Sequence, residues 1–248
     1  MNSLFGTKHL LILAVCALAI VLGVLAVRKW PMRRLVGALL YIGVASEITK
    51  VVYYIIANEA KYGGILPKSD LPFQLCSIQI LFALIIFLTQ SRKLHSTLLS
   101  VMYPGAVLGG IAALLIATDS SRNGGLAISL QYFGYHCALV IFGISLMLSK
   151  EEKFTIWHYF QCLKMMLAIF LVAIYLNSMM YDGTSSFNFM YVADPPQKGL
   201  PYLNEDKGWG VYIARYGLLV VGCITVCYIK PIIQAITCKV RKGVAHSA

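Results

Sequence analysis

The chain carries the run Leu71-Pro72-Phe73-Gln74-Leu75-Cys76-Ser77-Ile78-Gln79 and, later, Tyr135-His136-Cys137. A cysteine near a helix N-terminus meets the positive end of the helix dipole, which favours the thiolate. A thiolate attacks an ester carbonyl and holds the acyl group as a thioester, while an imidazole serves as base in one half-reaction and acid in the other. Cys76 and His136 are the catalytic pair these residue types suggest. Gln74, or Gln79 on the face of Cys76 at i+3, can donate a hydrogen bond to the oxyanion. Glu47 and Lys50 stand one helical turn apart and are expected to neutralise each other, with Glu47 facing a polar cavity. Asn177, Asn188 and Arg215 complete the set of expected substrate contacts. Cys223 and Cys227 share a face at i, i+4 but lack neighbouring His or carboxylate partners, so they read as packing residues; no metal site or cofactor is expected.

The elements that position these groups are set by composition. Of 248 residues, 59% are apolar and 12% charged, too little charge to cover a soluble surface around one core. A soluble enzyme, a disordered chain and a disulfide-rich secreted module are excluded. Seven apolar stretches are each long enough to cross about 30 Å of hydrocarbon as a helix: residues 9–27, 35–57, 72–90, 96–117, 126–149, 156–178 and 210–234. Asp70 is expected to cap the N-terminus of the third, with Pro72 in its first turn, where the missing N–H costs nothing. The first is too long for a secretory signal and has its basic flank after it, so it reads as a retained helix. The one long connection, 179–209, reads as a folded-over loop or short re-entrant element rather than an eighth span. The chain is expected to form a single all-α domain over 1–248.

Charge then orients the spans. The first, third and fifth connections and the tail hold twelve basic residues: Arg28, Lys29, Arg33, Arg34, Arg92, Lys93, Lys150, Lys153, Lys230, Lys239, Arg241 and Lys242. The opposite side holds six, Lys8, Lys61, Lys68, Arg122, Lys198 and Lys207. The positive-inside rule places the N-terminus outside and the C-terminus in the cytoplasm. The net charge of +11 is then a property of the cytoplasmic face and points to anionic headgroups, with membrane lipids rather than nucleic acid as partners. All seven cysteines lie in spans or the cytoplasmic tail, so no structural disulfide is expected.

Taken in order, the Leu-Pro-aromatic-Gln-Leu-Cys entry, Tyr103-Pro104-Gly105-Ala106, the span-five histidine and Asn188-Phe189-Met190-Tyr191 followed by prolines resemble the YwaF-like bacterial membrane proteins. More distantly, they are similar to the mammalian TMEM-type acyltransferase that remodels ether phospholipids. That resemblance implies a multi-pass protein of the bacterial plasma membrane. It also implies a lipid-facing cavity open to the outer leaflet, and phospholipid acyl transfer or lipid hydrolysis on Cys76 with His136. Where the acyltransferase carries a histidine two residues before its cysteine, this chain carries Gln74. A relay of Glu47 and His136 would serve equally in a transporter, or in a receptor-like protein that binds a small molecule or lipid without catalysis.

Overall fold

Backbone groups in hydrocarbon must be satisfied within their own segment or by neighbouring protein, which turns the apolar runs into helices. In the computed structural model the described residues are 4–181, 187–196, 200, 202–203 and 208–246, and among them there is no strand. The helices are α1 (Thr7–Val27), α2 (Met32–Val51), α3 (Glu59–Tyr62), α4 (Leu75–Leu88), α5 (Arg92–Leu115), α6 (Asp119–Asn123), α7 (Leu126–Leu148), α8 (Ile156–Met180), α9 (Trp209–Cys227) and α10 (Ile229–His246). A π-helical segment, Val52–Ala57, extends α2, and the Asn58 amide donates to the Tyr53 carbonyl at 2.8 Å. Six of these helices, α2 with its extension among them, are long and apolar enough to cross a membrane.

The third expected span is shorter than its hydropathy. α4 has 14 residues, about 21 Å at 1.5 Å per residue. Leu71 precedes a proline and is extended, as that position favours, and Gln74 is the extended residue at the helix boundary. Asp70 closes a 3₁₀ turn, Lys68–Asp70, and does not cap α4. The capping role expected for Asp70 is thus corrected, and Cys76 becomes the second residue of the helix.

The bundle has two distinct ends. At one, His9 donates Nε2–H to the Leu114 carbonyl (3.1 Å), Tyr53 donates to the Gly124 carbonyl (2.5 Å), and Gln74 donates to the Asn188 carbonyl (3.0 Å). At the other, the Met32 N–H meets Glu151 (2.9 Å) and Ser96 meets both Glu152 (2.9 Å) and His158 (2.8 Å). These ties make the seven longest helices before α10 alternate in direction.

α5 and α7 form the centre and run antiparallel, with α1 and α2 against α7 and with α4 and α8 against α5. Small residues let the two backbones approach. A Cβ on Gly110 would lie 3.0 Å from the His136 carbonyl, and one on Gly143 would lie 3.1 Å from the Tyr103 carbonyl. Large apolar side chains such as Leu11, Leu18, Leu171 and Leu218 are exposed on the outer helices, as expected of faces turned to lipid.

The last expected span, 210–234, breaks at Tyr228. Pro231 has no N–H for the Cys227 carbonyl, and Pro104 inside α5 likewise leaves the Ser100 carbonyl without its helical donor. The Tyr103 hydroxyl donates to Cys227 O (2.8 Å) and the Tyr228 hydroxyl to Ser100 O (2.7 Å). Each proline's orphaned carbonyl is therefore filled by a tyrosine of the other helix pair, and the two rings meet edge-on, 5.6 Å between centroids. Beyond this joint, α10 begins as a separate helix.

Candidate active site

Part of the long connection enters the bundle as a plug. Phe187, Phe189, Met190 and Val192 are buried, and Met190 and Tyr191 hold left-handed backbone angles with φ of 58° and 53°. Such a segment survives in the interior only if its polar groups are matched, and from Phe189 to Val192 each backbone N–H and carbonyl is. Asn177 accepts from the Phe189 N–H (2.9 Å) and donates to its carbonyl (3.2 Å). Gln74 donates to Asn188 O (3.0 Å) and accepts from the Met190 N–H (2.9 Å). Tyr216 donates to Met190 O (2.9 Å), Tyr212 to Tyr191 O, and Trp209 to Val192 O (2.9 Å). The Tyr191 and Val192 N–H groups bond back to Asn188 O and Phe189 O. Asn188 itself accepts from the Ala193 and Asp194 N–H groups (3.2 Å each) and donates to Asp194 O (2.7 Å).

Cys76 stands in the first turn of α4, where N–H groups lack helical acceptors. The Ser77 hydroxyl and first-turn N–H groups lie against its thiol. Tyr135 of α7 donates its hydroxyl to the Cys76 carbonyl at 2.6 Å, tying the cysteine's helix to the residue preceding His136. His136 is buried, and its Nδ1 meets the Tyr132 carbonyl at 2.7 Å. A carbonyl only accepts, so Nδ1 carries the proton and Nε2 the lone pair, the form a general base needs. The Tyr132 ring lies 4.3 Å from the imidazole, centroid to centroid.

The expected ion pair is present: Lys50 Nζ lies 2.9 Å from Glu47 Oε2, and it donates to the Asp70 carbonyl at 3.1 Å. Its ammonium acts electrostatically on both Cys76 and His136. Tyr191 of the plug is also in electrostatic reach of Cys76, and burial pushes its phenol up to about 12, so it is a neutral hydroxyl. Gln79 is fully buried, and among the described residues neither its amide nitrogen nor its oxygen has a hydrogen-bond partner. Gly105 makes room for it, since a Cβ there would lie 2.6 Å from the amide nitrogen.

The expected site residues therefore divide. Cys76, His136 and Glu47 are linked through Lys50 and Tyr135 where α2, α4 and α7 meet, whereas the Gln79 amide lies against Gly105 of α5. Gln74, Asn177 and Asn188 hold the plug in place. Arg215 turns to the loop, with its guanidinium 3.5 Å from the Tyr202 carbonyl and over the Tyr202 ring. A pocket of about 330 Å³ beside the plug includes Asn177 but none of Cys76, His136 or Glu47. Lys50, Tyr132, Tyr135 and Tyr191 were not singled out as site residues from sequence; Lys50 was read only as Glu47's counter-ion.

A second cluster, Ser96, Glu152 and His158, has the residue types of a hydrolytic triad. The Thr155 N–H donates to His158 Nδ1 (3.0 Å), so the proton sits on Nε2, the nitrogen 2.8 Å from Ser96 Oγ. That nitrogen cannot accept the serine proton. The cluster caps α8 and joins it to α5.

Alternating apolar helices around an apolar core that encloses a few buried polar groups and an inserted plug define a multi-pass membrane protein of the all-helical class. A family model described as the TMEM164 family matches residues 4–228, and the chain belongs to that family. No curated protein and no solved structure matches the chain.

Proposed function

We propose that the protein is a membrane-embedded lipid acyltransferase, with lipid hydrolysis as the same chemistry when water replaces the acceptor. The observation that carries this reading is the Gln79 amide, fully buried one turn from Cys76 with no partner for either polar atom among the described residues. An unmatched buried amide costs about 1–3 kcal/mol per group, and native interiors leave few of them. A carbonyl held on Cys76 would give the amide nitrogen its acceptor.

In the first half-reaction the Cys76 sulfur attacks the acyl ester carbonyl and its proton passes to His136 Nε2. The carbonyl oxygen takes the negative charge next to the Gln79 amide and the N–H groups of the first turn. As the ester C–O bond breaks, His136 returns the proton to the departing lysolipid oxygen. In the second half-reaction an acceptor lysophospholipid hydroxyl, deprotonated by His136, attacks the thioester and restores the thiol. Lys50, held by Glu47 and the Asp70 carbonyl, places a positive charge within electrostatic reach of both reacting groups, where it stabilises negative charge that develops during attack. The plug covers this chemistry with Tyr191 and shields it from water.

The finer assignment follows the YwaF-like resemblance and the similarity to the ether-phospholipid acyltransferase: a bacterial plasma-membrane protein whose lipid-facing cavity opens to the outer leaflet. We assign seven crossings, with α4 and the residues leading into it as the third, the N-terminus outside and the C-terminus cytoplasmic. Purified protein in mixed micelles should transfer a labelled acyl chain from phospholipid to lysophospholipid. Cys76→Ala should abolish transfer, and His136→Ala should slow it by about 10²–10⁴-fold. Full lipid-modifying activity in Cys76→Ala would overturn the covalent mechanism and leave a His136-led hydrolase as the better account. No lipid turnover in the parent would leave a lipid-binding role.

A further inference from the structure

The pocket of about 330 Å³ lies where the end of α8, the plug and the start of α9 meet, and its walls include Asn177, Ser178, Tyr181, Phe187, Asp194 and Trp209. We infer that this pocket binds the ammonium end of a zwitterionic phospho-ammonium headgroup, with the Asp194 carboxylate and the aromatic rings as its recognition elements. In meaning this rests on the acyltransferase reading, because it names the headgroup of the substrate, but the binding itself involves neither Cys76 nor His136.

Three observations support it. Asn188 holds Asp194 by both backbone groups, and among the described residues nothing donates to the Asp194 carboxylate. A carboxylate beside Tyr, Phe and Trp rings is the donor set that recognises alkylammonium ions, since the ring quadrupole and the carboxylate both attract a poorly hydrated cation. Phe187 already engages one cation, with Lys68 Nζ 4.8 Å from its ring centroid.

The location supports it as well. Tyr181 and Trp209 stand at the ends of two long apolar helices on the same end of the bundle, the depth at which aromatic residues meet headgroups. The walls are also the clamps of the plug: Asn177 binds both backbone groups of Phe189, and the Trp209 indole donates to Val192 O. A headgroup in the pocket therefore rests against the groups that hold the plug, whose Tyr191 is in electrostatic reach of Cys76, linking headgroup recognition to the position of the plug.

The test uses purified full-length protein carrying Trp30→Phe and Trp157→Phe, so that Trp209 alone emits. Dihexanoylphosphatidylcholine, free phosphocholine and dihexanoylphosphatidylglycerol are each titrated while Trp209 fluorescence is followed. The phosphatidylcholine should give a saturable change and the phosphatidylglycerol none. Asp194→Asn should weaken the apparent affinity about tenfold, and Asp194→Glu should keep it near the parent value. Saturation by free phosphocholine as well would show that the headgroup alone suffices; phosphocholine without effect would assign the site to the lipid. Equal responses to the two lipids, or unchanged affinity in Asp194→Asn, would overturn the proposal and leave Tyr181 and Trp209 as interfacial anchors. Loss of the headgroup site with an acyl adduct still forming on Cys76 would remove this inference alone. Headgroup binding without any adduct would remove the acyltransferase reading alone.

Discussion

Gln74 and Gln79 flank Cys76, and among the described residues the fold engages the amide of Gln74 alone. Gln74 and Gln79 were equivalent as oxyanion donors in the sequence. Gln74 uses both ends of its amide on the plug backbone, at 3.0 Å and 2.9 Å, partners more than a hundred positions away that local spacing does not reveal. Gln79 lies unmatched beside Gly105. This difference makes a prediction with opposite signs for stability and activity. Gln79→Leu removes an unpartnered buried amide while nearly preserving volume, and should raise stability by about 1–3 kcal/mol in thermal unfolding in detergent. It should also lower acyl transfer by about 10–10³-fold, the range for loss of one oxyanion donor. Unchanged activity in Gln79→Leu would exclude the amide from the reaction. The Glu47–Lys50 pair, by contrast, was legible from its i, i+3 spacing, because one helical turn determines the contact.

Among the elements, the long helices were legible because hydropathy reports burial in lipid directly. Their breaks were less so. Hydropathy runs through Tyr228, yet Pro231, four residues after Cys227, already removed the donor that a continuous helix needs. The exchange between the two proline sites also depends on Tyr103 and Tyr228 meeting across the bundle, which periodicity does not indicate. Tyr228→Phe should leave the buried Ser100 carbonyl unpaired and lower stability by about 1–3 kcal/mol. Adding Pro104→Ala to Tyr228→Phe should recover much of that loss, since residue 104 then supplies the N–H the carbonyl lacks. Pro104→Ala alone should gain little, because Tyr228 already fills the carbonyl. Thermal melts of the three variants in one detergent check this; no recovery in the double variant would mean that Tyr228 acts through ring packing alone.

For the whole molecule, the assembly places the plug, the pocket beside it and the N-terminus of α4 at one end of the bundle and the Ser96–Glu152–His158 cap at the other. In the proposed orientation, which rests on the charge asymmetry, the plug end is extracytoplasmic. In a variant with its native cysteines removed, a cysteine at Tyr202 should react with an impermeant thiol reagent added to intact cells, and one at Lys150 should not. The reverse pattern would invert the topology and move the site to the inner leaflet. The central claim, that Cys76 carries an acyl group during turnover, is tested most directly by intact-protein mass after incubation with phospholipid and no acceptor. The account predicts a hydroxylamine-sensitive mass increase of one acyl chain, mapped to Cys76 and absent in Cys76→Ala. Cys137 is the internal control, because it follows His136 in sequence yet faces Cys16 on α1. An adduct on Cys137 as readily as on Cys76, or acyl transfer proceeding with no adduct at all, would contradict the account.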